Sequence, residues 1–397
     1  MWIEGRLVES GQPVRLQVAN GTIGTIEEIE VASSLWIAPG WIDIQVNGYG
    51  GHDVNAAEVT PESIVALARA LWRCGVTAFC PTVITESQEH ICRSLRAIAA
   101  ACEADALVAH AIPCIHVEGP YISLEDGPRG AHPREHVRPP SFTEYRQWQE
   151  AAGGRVGLIT LSPEYPQACD YIRAVSQENV IVSIGHTAAS EEQIRAAVSA
   201  GARLSTHLGN GAHAVITRHP NYIWEQLAED RLMASFICDG HHLPPAVMKA
   251  MLRAKGTERA VLISDAVALA GLVPGIYDTP VGGKVELLQS GRLNLLGTPY
   301  LAGSASSLRE CVTNVLRYAQ ISLAEAIRMA SSNPARLLGR DGREGRGTVR
   351  SGYAADLTLF HIDPATEEIV IDATIVRGEY VYQRAAHVAD RFAGSER

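Results

Sequence analysis

The sequence has 397 residues, of which 46% are hydrophobic and 20% are charged, a composition typical of a compact globular enzyme and not of a disordered chain. Its 34 basic and 44 acidic side chains give a formal net charge of −10, without a long basic run, so nucleic acid and anionic membranes are excluded as favoured partners. No stretch approaches the roughly 18 uninterrupted apolar residues that a membrane-spanning helix requires.

Eight cysteines are scattered along the chain without a C-x-x-C pair or a regular framework. Most lie inside apolar runs, which predicts reduced, buried thiols and a reducing compartment. The first residues are not a basic segment followed by an apolar one, so they do not resemble a secretion signal. We therefore expect a cytoplasmic protein.

The chain begins with three predicted short strands, at residues 2–8, 14–18 and 23–31, separated by turns that contain glycine. From Pro39 onward, apolar runs alternate with helical patterns. Eight strands are predicted there, at residues 41–46, 77–83, 112–117, 156–161, 180–185, 204–207, 233–238 and 260–264. Helices are predicted between them at 60–73, 88–101, 165–176, 190–199 and 244–254. Thr60 before Pro61, and Ser190 three residues before Gln193, are typical helix starts.

Eight strands alternating with helices favour an α/β fold of the (β/α)₈ TIM-barrel type. A doubly wound open sheet is the alternative, but the glycine-rich phosphate fingerprint of that fold does not follow the first strand. After two more helices (307–319 and 323–330), short strands return at 347–349, 356–361, 368–370 and 374–382. We therefore predict a barrel over residues 39–343 and a small β-sandwich domain built from residues 1–38 and 344–397.

Four of the predicted barrel strands end abruptly at a side chain that can bind a metal or transfer a proton. These side chains are Glu118, His186, His207 and Asp265. Each alone could be a solvated strand end, a turn histidine or a helix cap, but carboxyl ends of barrel strands converge on one face. One carboxylate and two imidazoles can hold a divalent cation such as Zn²⁺ with a position left open. The fourth group, Asp265, can serve as the base.

Further motifs are distributed along the chain. They are Pro39-Gly40-Trp41-Ile42-Asp43, His116-Val117-Glu118-Gly119-Pro120, Gly130-Ala131-His132, Gly185-His186-Thr187, Thr206-His207-Leu208-Gly209-Asn210, Asp239-Gly240-His241-His242, Ser264-Asp265-Ala266 and Leu301-Ala302-Gly303-Ser304. In combination they make the chain similar, over nearly its whole length, to the N-acetylglucosamine-6-phosphate deacetylase family of the amidohydrolase superfamily.

The resemblance implies one divalent metal ion, Zn²⁺, held by Glu118, His186 and His207, with Asp265 as the catalytic acid and base. It also implies that His132 polarises the amide carbonyl and steadies the oxyanion. Many members of the superfamily begin with a His-x-His pair that holds a second metal. This chain has Gln45-Val46-Asn47 at that place, which implies a single-metal site.

The same resemblance assigns the substrate contacts. Arg218 and His242 are expected to bind a sugar phosphate, with His242 reaching in from a neighbouring subunit of a homodimer. The sugar is expected to meet Asn210, Gly211 and the backbone of Ala131, Leu301 and Ala302. The implied reaction is hydrolysis of N-acetylglucosamine 6-phosphate to glucosamine 6-phosphate and acetate.

The chain departs from the family pattern around the expected sugar pocket. It has Gly211-Ala212-His213 and the bulkier stretch 218–225, and Val267-Ala268-Leu269 after Asp265 is also atypical. Three alternatives therefore stay open: another acetamido sugar phosphate of the galactosamine type, an unphosphorylated N-acyl substrate, and a sugar-binding relative without catalysis.

Overall fold

The computed structural model describes residues 1–30, 34–279, 283–298, 300–342 and 345–385. Its centre is a sheet of eight strands in which every neighbouring pair is parallel. In chain order the strands are Trp41–Val46, Val76–Ile84, Ile115–Glu118, Val156–Leu161, Ile181–Ile184, Ala202–Ser205, Met233–Ile237 and Ala260–Ile263. Hydrogen bonds from Asp265 N to Gln45 O (3.0 Å) and from Asn47 N to Ala266 O (2.9 Å) join the last strand to the first.

The strands are almost continuously apolar because both of their faces are buried, as parallel sheets require. All six residues of Trp41–Val46 and all four of Ala260–Ile263 are buried. Inside the barrel, Ile42, Leu158 and Val261 belong to one apolar cluster. The helix Ser332–Leu337 contributes Ala335 and Leu337 to that cluster, so apolar side chains fill the barrel below the carboxyl ends of its strands.

Helices cover the outside of the barrel. The α-helices are Pro61–Trp72, Gln88–Ala104, Ala106–Ala111, Phe142–Ala151, Ala168–Ser176, Glu191–Ala200, Tyr222–Ala228, Pro245–Lys255, Leu308–Asn314, Leu323–Ala330 and Ser332–Leu337, with a 3₁₀ turn at Arg134–His136 and a π-helical turn at Val315–Ala319. The predicted helix starts are confirmed: Thr60 and Ser190 each form a capping box with the residue three positions later. The predicted helix over 307–319 is α-helical only to Asn314, where the π-helical turn begins.

The small domain draws its strands from both ends of the chain. They form one seven-stranded sheet in the order Glu379–Gln383, Ile369–Val376, Leu357–Ile362, Trp36–Pro39, Trp2–Leu7, Pro13–Ala19 and Thr22–Glu28. The late strand Leu357–Ile362 pairs directly with the early strand Trp36–Pro39. The predicted fold class, a (β/α)₈ barrel with a small β-domain formed by both termini, is confirmed.

Several element predictions need correction. Residues 347–349 form no strand, although Thr348 and Val349 favour one. A three-stranded insertion, Gly275–Thr279, Gly283–Leu287 and Leu293–Leu295, was not predicted, nor were the strand Trp36–Pro39 and the helices Ala106–Ala111, Phe142–Ala151 and Tyr222–Ala228. The end of the predicted strand 23–31 and the domain limit between 343 and 344 fall outside the described residues, and the domain limits stay a prediction. Among the described helices, none combines the length and apolarity needed to cross a membrane.

The cysteines are all free thiols, and seven of the eight are buried. The prediction that most of the thiols are buried is therefore confirmed. Two of them, Cys80 and Cys114, place their sulfur atoms 3.5 Å apart in the barrel interior.

Candidate active site

Four side chains extend from the carboxyl ends of barrel strands. Glu118 is the last residue of its strand, whereas His186, His207 and Asp265 each lie two residues beyond the strand that carries them. Glu118, His186 and His207 are buried, and Asp265 is half-buried. The predicted convergence of these residues therefore has a simple geometric basis, since the strands are parallel and end on the same face.

Three of the four residues have unusual backbone conformations. His186, His207 and Asp265 have φ values of 48°, 29° and 48°, in the left-handed region that residues other than glycine adopt at a cost. Hydrogen bonds help to hold two of them: His207 N donates to Ser235 Oγ (2.8 Å), and Asp265 N donates to Gln45 O (3.0 Å). Such strain is typical of functional sites, where an unfavourable backbone conformation is kept because it directs the side chain into the site.

Glu118, His186 and His207 bring three possible ligand atoms together. His207 Nε2 lies 3.0 Å from both Glu118 Oε1 and His186 Nε2, and His186 Nε2 lies 3.5 Å from Glu118 Oε1. These three atoms all lie within 4.8 Å of one another. One carboxylate and two imidazole nitrogens at such separations could share a single divalent cation.

The hydrogen bond made by the Nδ1 atom of His186 shows whether its Nε2 atom can bind a metal. His186 Nδ1 lies 2.8 Å from the carbonyl oxygen of Pro128. A carbonyl can only accept, so Nδ1 carries a proton and Nε2 is the ring nitrogen that faces the other two ligand atoms. This backing of a ligand histidine by a carbonyl is characteristic of protein metal sites, and the residues present fit a metal ion.

Glu118 is held as a carboxylate. Burial alone would raise its pKa, but hydrogen bonds and positive charge from His186 and His207 lower the pKa well below its usual range. Gln45 Nε2 also donates to Glu118 Oε1 (2.8 Å). Gln45 thus orients the carboxylate.

Asp265 occupies a different electrostatic environment. Burial, with the negative charge of Glu118, raises the pKa of Asp265 to about 7. Asn47 Nδ2 donates to Asp265 Oδ1 at 2.7 Å. A carboxyl group whose pKa lies near neutrality can accept a proton and return it, as acid–base catalysis requires.

His132 lies beside the ligand group as a neutral ring. Its ring meets that of His186 edge to face, with centroids 4.4 Å apart. Burial and the positive charge of His186 lower the pKa of His132 to about 3. His132 Nδ1 lies 2.7 Å from Thr85 Oγ1, which fixes the orientation of the ring.

Two glycines approach the ring of His186 closely. A Cβ atom on Gly211 would lie 2.7 Å from His186 Nδ1, and one on Gly130 would lie 3.2 Å from His186 Cε1. Both glycines also have positive φ values, 55° and 60° respectively. Gly211, predicted to meet the sugar, is therefore also needed to leave room for a ligand side chain.

The other residues predicted to bind substrate have mixed positions. Asn210 lies in the turn after His207, and its backbone N–H donates to His207 O at 2.9 Å. Ala131 is exposed next to His132. Leu301 and Ala302 lie just before Ser304, which forms a β-bridge with Ala266 beside Asp265, so this segment borders the barrel mouth.

The two residues predicted to bind phosphate differ in placement. His242 Nδ1 pairs with Asp239 Oδ2 at 2.7 Å, and both residues follow the barrel strand Met233–Ile237. Arg218 is exposed on the loop that follows His207, and among the described residues its guanidinium has no hydrogen-bond or ion-pair partner. His242 therefore lies just beyond the barrel strand Met233–Ile237, and Arg218 lies on an exposed loop beyond the strand Ala202–Ser205.

The atypical stretch after Gly211 forms ordered local contacts. His213 bonds to Glu125 Oε2 (2.9 Å) through Nε2 and to the hydroxyl of Tyr222 (3.0 Å) through Nδ1. Tyr222 is buried at the start of its helix, whereas Trp224 is 54% exposed. The large side chains of Tyr222 and Trp224 thus belong to the first turn of the helix Tyr222–Ala228.

The roles of Gln45, Asn47 and Thr85 were not predicted from the sequence. Gln45 and Asn47 were interpreted only as substitutes for metal ligands, but their amides each hold one of the two carboxylates. The two positions are separated by one residue at the end of the strand Trp41–Val46, a spacing that places side chains on the same face of an extended chain. That spacing was the sequence feature that could have indicated the shared role of Gln45 and Asn47. No sequence feature indicates the role of Thr85, because its contact with His132 joins segments that are distant in the chain.

The barrel, the three converging ligands and the adjacent aspartate define a hydrolase with a candidate metal centre. The chain belongs to the amidohydrolase family, whose sequence model matches residues 36–381, and it is a hydrolytic enzyme that acts on an amide. It is 32% identical to the N-acetylglucosamine-6-phosphate deacetylase of Bacillus subtilis (strain 168) over 359 residues, covering 90% of this chain and 87% of the relative. It is also 35% identical to the N-acetylgalactosamine-6-phosphate deacetylase of Escherichia coli O157:H7 over 365 residues, covering 91% and 94%.

A solved structure with the same architecture is a mutant N-acetyl-D-glucosamine-6-phosphate deacetylase from Mycobacterium smegmatis in complex with N-acetyl-D-glucosamine 6-phosphate. It superposes with a TM-score of 0.82 at 26% identity, covering 94% of this chain and 95% of the other. The family resemblance inferred from the sequence motifs is confirmed.

Proposed function

We propose that this chain hydrolyses the N-acetyl group of N-acetylglucosamine 6-phosphate, giving glucosamine 6-phosphate and acetate. The observation that carries the proposal is the convergence of Glu118, His186 and His207 beside a second acidic side chain, Asp265. The named activities of the relatives from Bacillus subtilis and Mycobacterium smegmatis support this choice of substrate.

Glu118, His186 and His207 would hold the metal in this proposal. Two imidazoles and a carboxylate without a thiolate suit Zn²⁺, which we propose as the ion. When bound there, a divalent cation acts as a Lewis acid and lowers the pKa of a coordinated water towards ~7.

Asp265 moves the proton in the proposed reaction. Its carboxylate accepts a proton from the attacking water and then delivers that proton to the amine nitrogen that leaves. Asn47 holds one carboxylate oxygen at 2.7 Å, so the other oxygen is left to exchange the proton.

His132 stabilises the oxygen on which negative charge develops. The hydroxyl of Thr85 has one proton, and its contact with His132 Nδ1 (2.7 Å) is shorter than its contact with Glu118 O (3.5 Å). When that proton is donated to Nδ1, the proton of the neutral ring is carried by Nε2. That N–H can donate to the oxygen of the acetyl group, and a donor fixed in advance is an effective source of transition-state stabilisation. The low pKa of His132 supports this role, because the ring stays neutral at physiological pH.

The remaining predicted contacts form the substrate pocket in this proposal. Asn210, Gly211 and the backbone of Ala131, Leu301 and Ala302 meet the sugar. Arg218 and His242 bind the phosphate, for which a planar guanidinium is well suited. We also propose a homodimer and a cytoplasmic location; the free thiols support a reducing compartment.

N-acetylgalactosamine 6-phosphate is the second candidate substrate. It is supported by the 35% identity to the Escherichia coli O157:H7 enzyme of that name and by the altered stretch 211–225. The two candidate substrates are epimers that differ in the orientation of one sugar hydroxyl, and residues in the stretch 211–225 could distinguish the two orientations.

The test is an acetate-release assay on both acetamido sugars, each with and without the 6-phosphate. We expect the metal-loaded enzyme to prefer N-acetylglucosamine 6-phosphate and to lose activity with the unphosphorylated sugars. Higher kcat/KM for the galactose epimer would replace the first candidate by the second. Release from neither phosphorylated sugar would contradict the proposed function.

Replacing Asp265 tests the proposed mechanism. Asp265→Asn should keep the fold and about one metal per chain but lower kcat by at least about 10³-fold, within the range for lost acid–base catalysis. Acetate release and metal content by atomic absorption provide the two measurements. An Asp265→Asn enzyme with substantial turnover would exclude this residue as the acid and base.

A further inference from the structure

A second cavity lies at the end of the barrel opposite to the candidate active site. It has a volume of about 560 Å³. Its wall includes Pro113 and Arg155, which precede barrel strands, whereas Glu118 ends one of those strands. The wall also includes Gly21 and Ala354 from the small domain. Both domains therefore contribute to a cavity that is separate from the barrel mouth.

Arginine side chains are prominent in the wall of this cavity. Four arginines line it: Arg155, Arg340, Arg346 and Arg377. Among the described residues, no aspartate or glutamate belongs to the lining. The sequence as a whole has ten more acidic than basic side chains. Arg346 lies 3.6 Å from the buried carboxylate of Asp356, so the charge that bears on a ligand is that of Arg155 and Arg377.

One of these arginines has a structural role. Arg346 is buried and donates to His110 Nδ1 (2.7 Å) and His110 O (2.8 Å). Since an arginine only donates, His110 Nδ1 accepts and Nε2 carries the proton, which it donates to Asp356 (2.8 Å). Asp356, the nearby carboxylate, is therefore already engaged by His110 and also accepts from the backbone N–H of Arg377 (2.8 Å).

Two other arginines face the cavity with their charge uncompensated. Arg155 is half-buried and Arg377 is exposed. Within the described part of the chain, neither guanidinium has a hydrogen-bond or ion-pair partner. Arg155 comes from the barrel and Arg377 from a turn of the small sheet, between the strands Ile369–Val376 and Glu379–Gln383. Two like charges that line one cavity attract an anion into the space between them.

We propose that this cavity, which we call the arginine cavity, binds a small phosphorylated molecule with at least two negative charges. Guanidinium groups match phosphate oxygens through paired, charge-assisted hydrogen bonds. The volume lies within the usual range for small-molecule sites and exceeds the space a single inorganic phosphate needs. The ligand contacts both domains and therefore stabilises their junction.

Calorimetric titration with inorganic pyrophosphate at fixed ionic strength tests the proposal. The wild-type chain should bind it, and the double variant Arg155→Gln/Arg377→Gln should bind at least tenfold more weakly. A matched control, Arg69→Gln/Arg203→Gln, removes the same charge from two exposed sites and should bind like the wild type. Equal loss in both double variants, or no loss in the first, would overturn the proposal.

Two further arms separate the arginine cavity from the candidate active site and from other anions. Arg218→Ala, which removes the proposed phosphate contact of the active site, should retain the binding event that depends on Arg155 and Arg377; loss of that event in the Arg218 variant would place the anion at the barrel mouth and overturn the proposal. Citrate at the same ionic strength should bind more weakly than pyrophosphate, and tighter binding of citrate would refute the assignment to phosphate. Thermal denaturation should confirm that each variant is folded. Pyrophosphate should raise the denaturation midpoint of the wild type but not that of Arg155→Gln/Arg377→Gln.

Discussion

At the residue scale, two neighbouring amides divide the support of the site between them. Gln45 donates to the proposed ligand Glu118 and Asn47 donates to Asp265, at 2.8 and 2.7 Å. Both amides lie at the end of the first barrel strand, Trp41–Val46. The amide pair therefore orients two carboxylates with different tasks.

The different targets of the two amides predict different defects. Gln45→Leu should weaken metal binding by about 10–100-fold, the usual loss when a residue that orients a ligand is removed. Asn47→Leu should leave metal content unchanged and lower kcat, because it frees Asp265. Metal titration and acetate release measure the two properties, and each variant is the control for the other. The reverse pattern would contradict the assignment.

Gly211 provides a second prediction at this scale. Gly211→Ala should displace His186 and lower metal affinity, because the new Cβ would lie 2.7 Å from Nδ1. Gly153 is the matched control, since it has a φ of 59° and a Cβ added there would meet no heavy atom within 4 Å. Both variants should lose about 1–2 kcal/mol of stability from the left-handed backbone, but only Gly211→Ala should lose metal. Equal metal content in the two variants would disprove the steric role.

At the element scale, the local sequence was sufficient to predict those helices and strands whose pattern of residues favours a single type of structure. The run Val182-Ser183-Ile184-Gly185-His186 predicted a buried strand ending in a functional residue, and the barrel contains that strand. Ser190 and Gln193 likewise specified a helix start. Elements of this kind depend on neighbouring residues, so the sequence alone contains the information.

Other elements depend on contacts between distant segments. The inserted strand Gly275–Thr279 alternates between half-buried and exposed residues and is stabilised through a cluster that includes Val285 and Leu293. Conversely, Thr348 and Val349 favour a strand but find no partner strand. The three candidate metal ligands were predictable from strand ends, whereas the amide contacts of Gln45 and Asn47 required three-dimensional distances.

The helix Glu191–Ala200 allows a direct test of local encoding. Ser190→Ala should destabilise the protein by about 0.5–2 kcal/mol, because Ser190 Oγ accepts from Gln193 N at the helix start. Ser199→Ala, at an exposed position in the same helix, should be neutral or slightly stabilising because alanine favours helices. Urea denaturation of both variants measures the difference. A similar effect at the two positions would argue against the capping contribution.

At the scale of the whole molecule, one carboxylate connects the barrel to the small domain. Asp356 accepts hydrogen bonds from His110 of the barrel and from the backbone of Arg377 in the small sheet. Arg346 lies 3.6 Å from the same carboxylate. Burial raises the pKa of Asp356, but the hydrogen bond from His110 and the nearby positive charges lower it overall.

Removing this carboxylate should loosen the domain junction. Asp356→Ala should cost about 3–5 kcal/mol, the usual effect of breaking a buried ion pair and leaving its partner charge behind. Asp341→Ala, at an exposed site, should have little effect. Denaturant titrations give both values, and a loss below about 1 kcal/mol for Asp356→Ala would show that the junction depends on other contacts.

The interleaving of early and late strands in the small sheet bears on how the protein is made. Trp41 N donates to Thr358 Oγ1, 317 residues further along the chain, and the strand Trp36–Pro39 pairs with Leu357–Ile362. During ribosomal synthesis the amino-terminal hairpins therefore emerge long before the strands that complete their sheet. Their open edge must remain unpaired while the entire barrel is translated, a period in which an exposed strand edge favours association with other nascent chains.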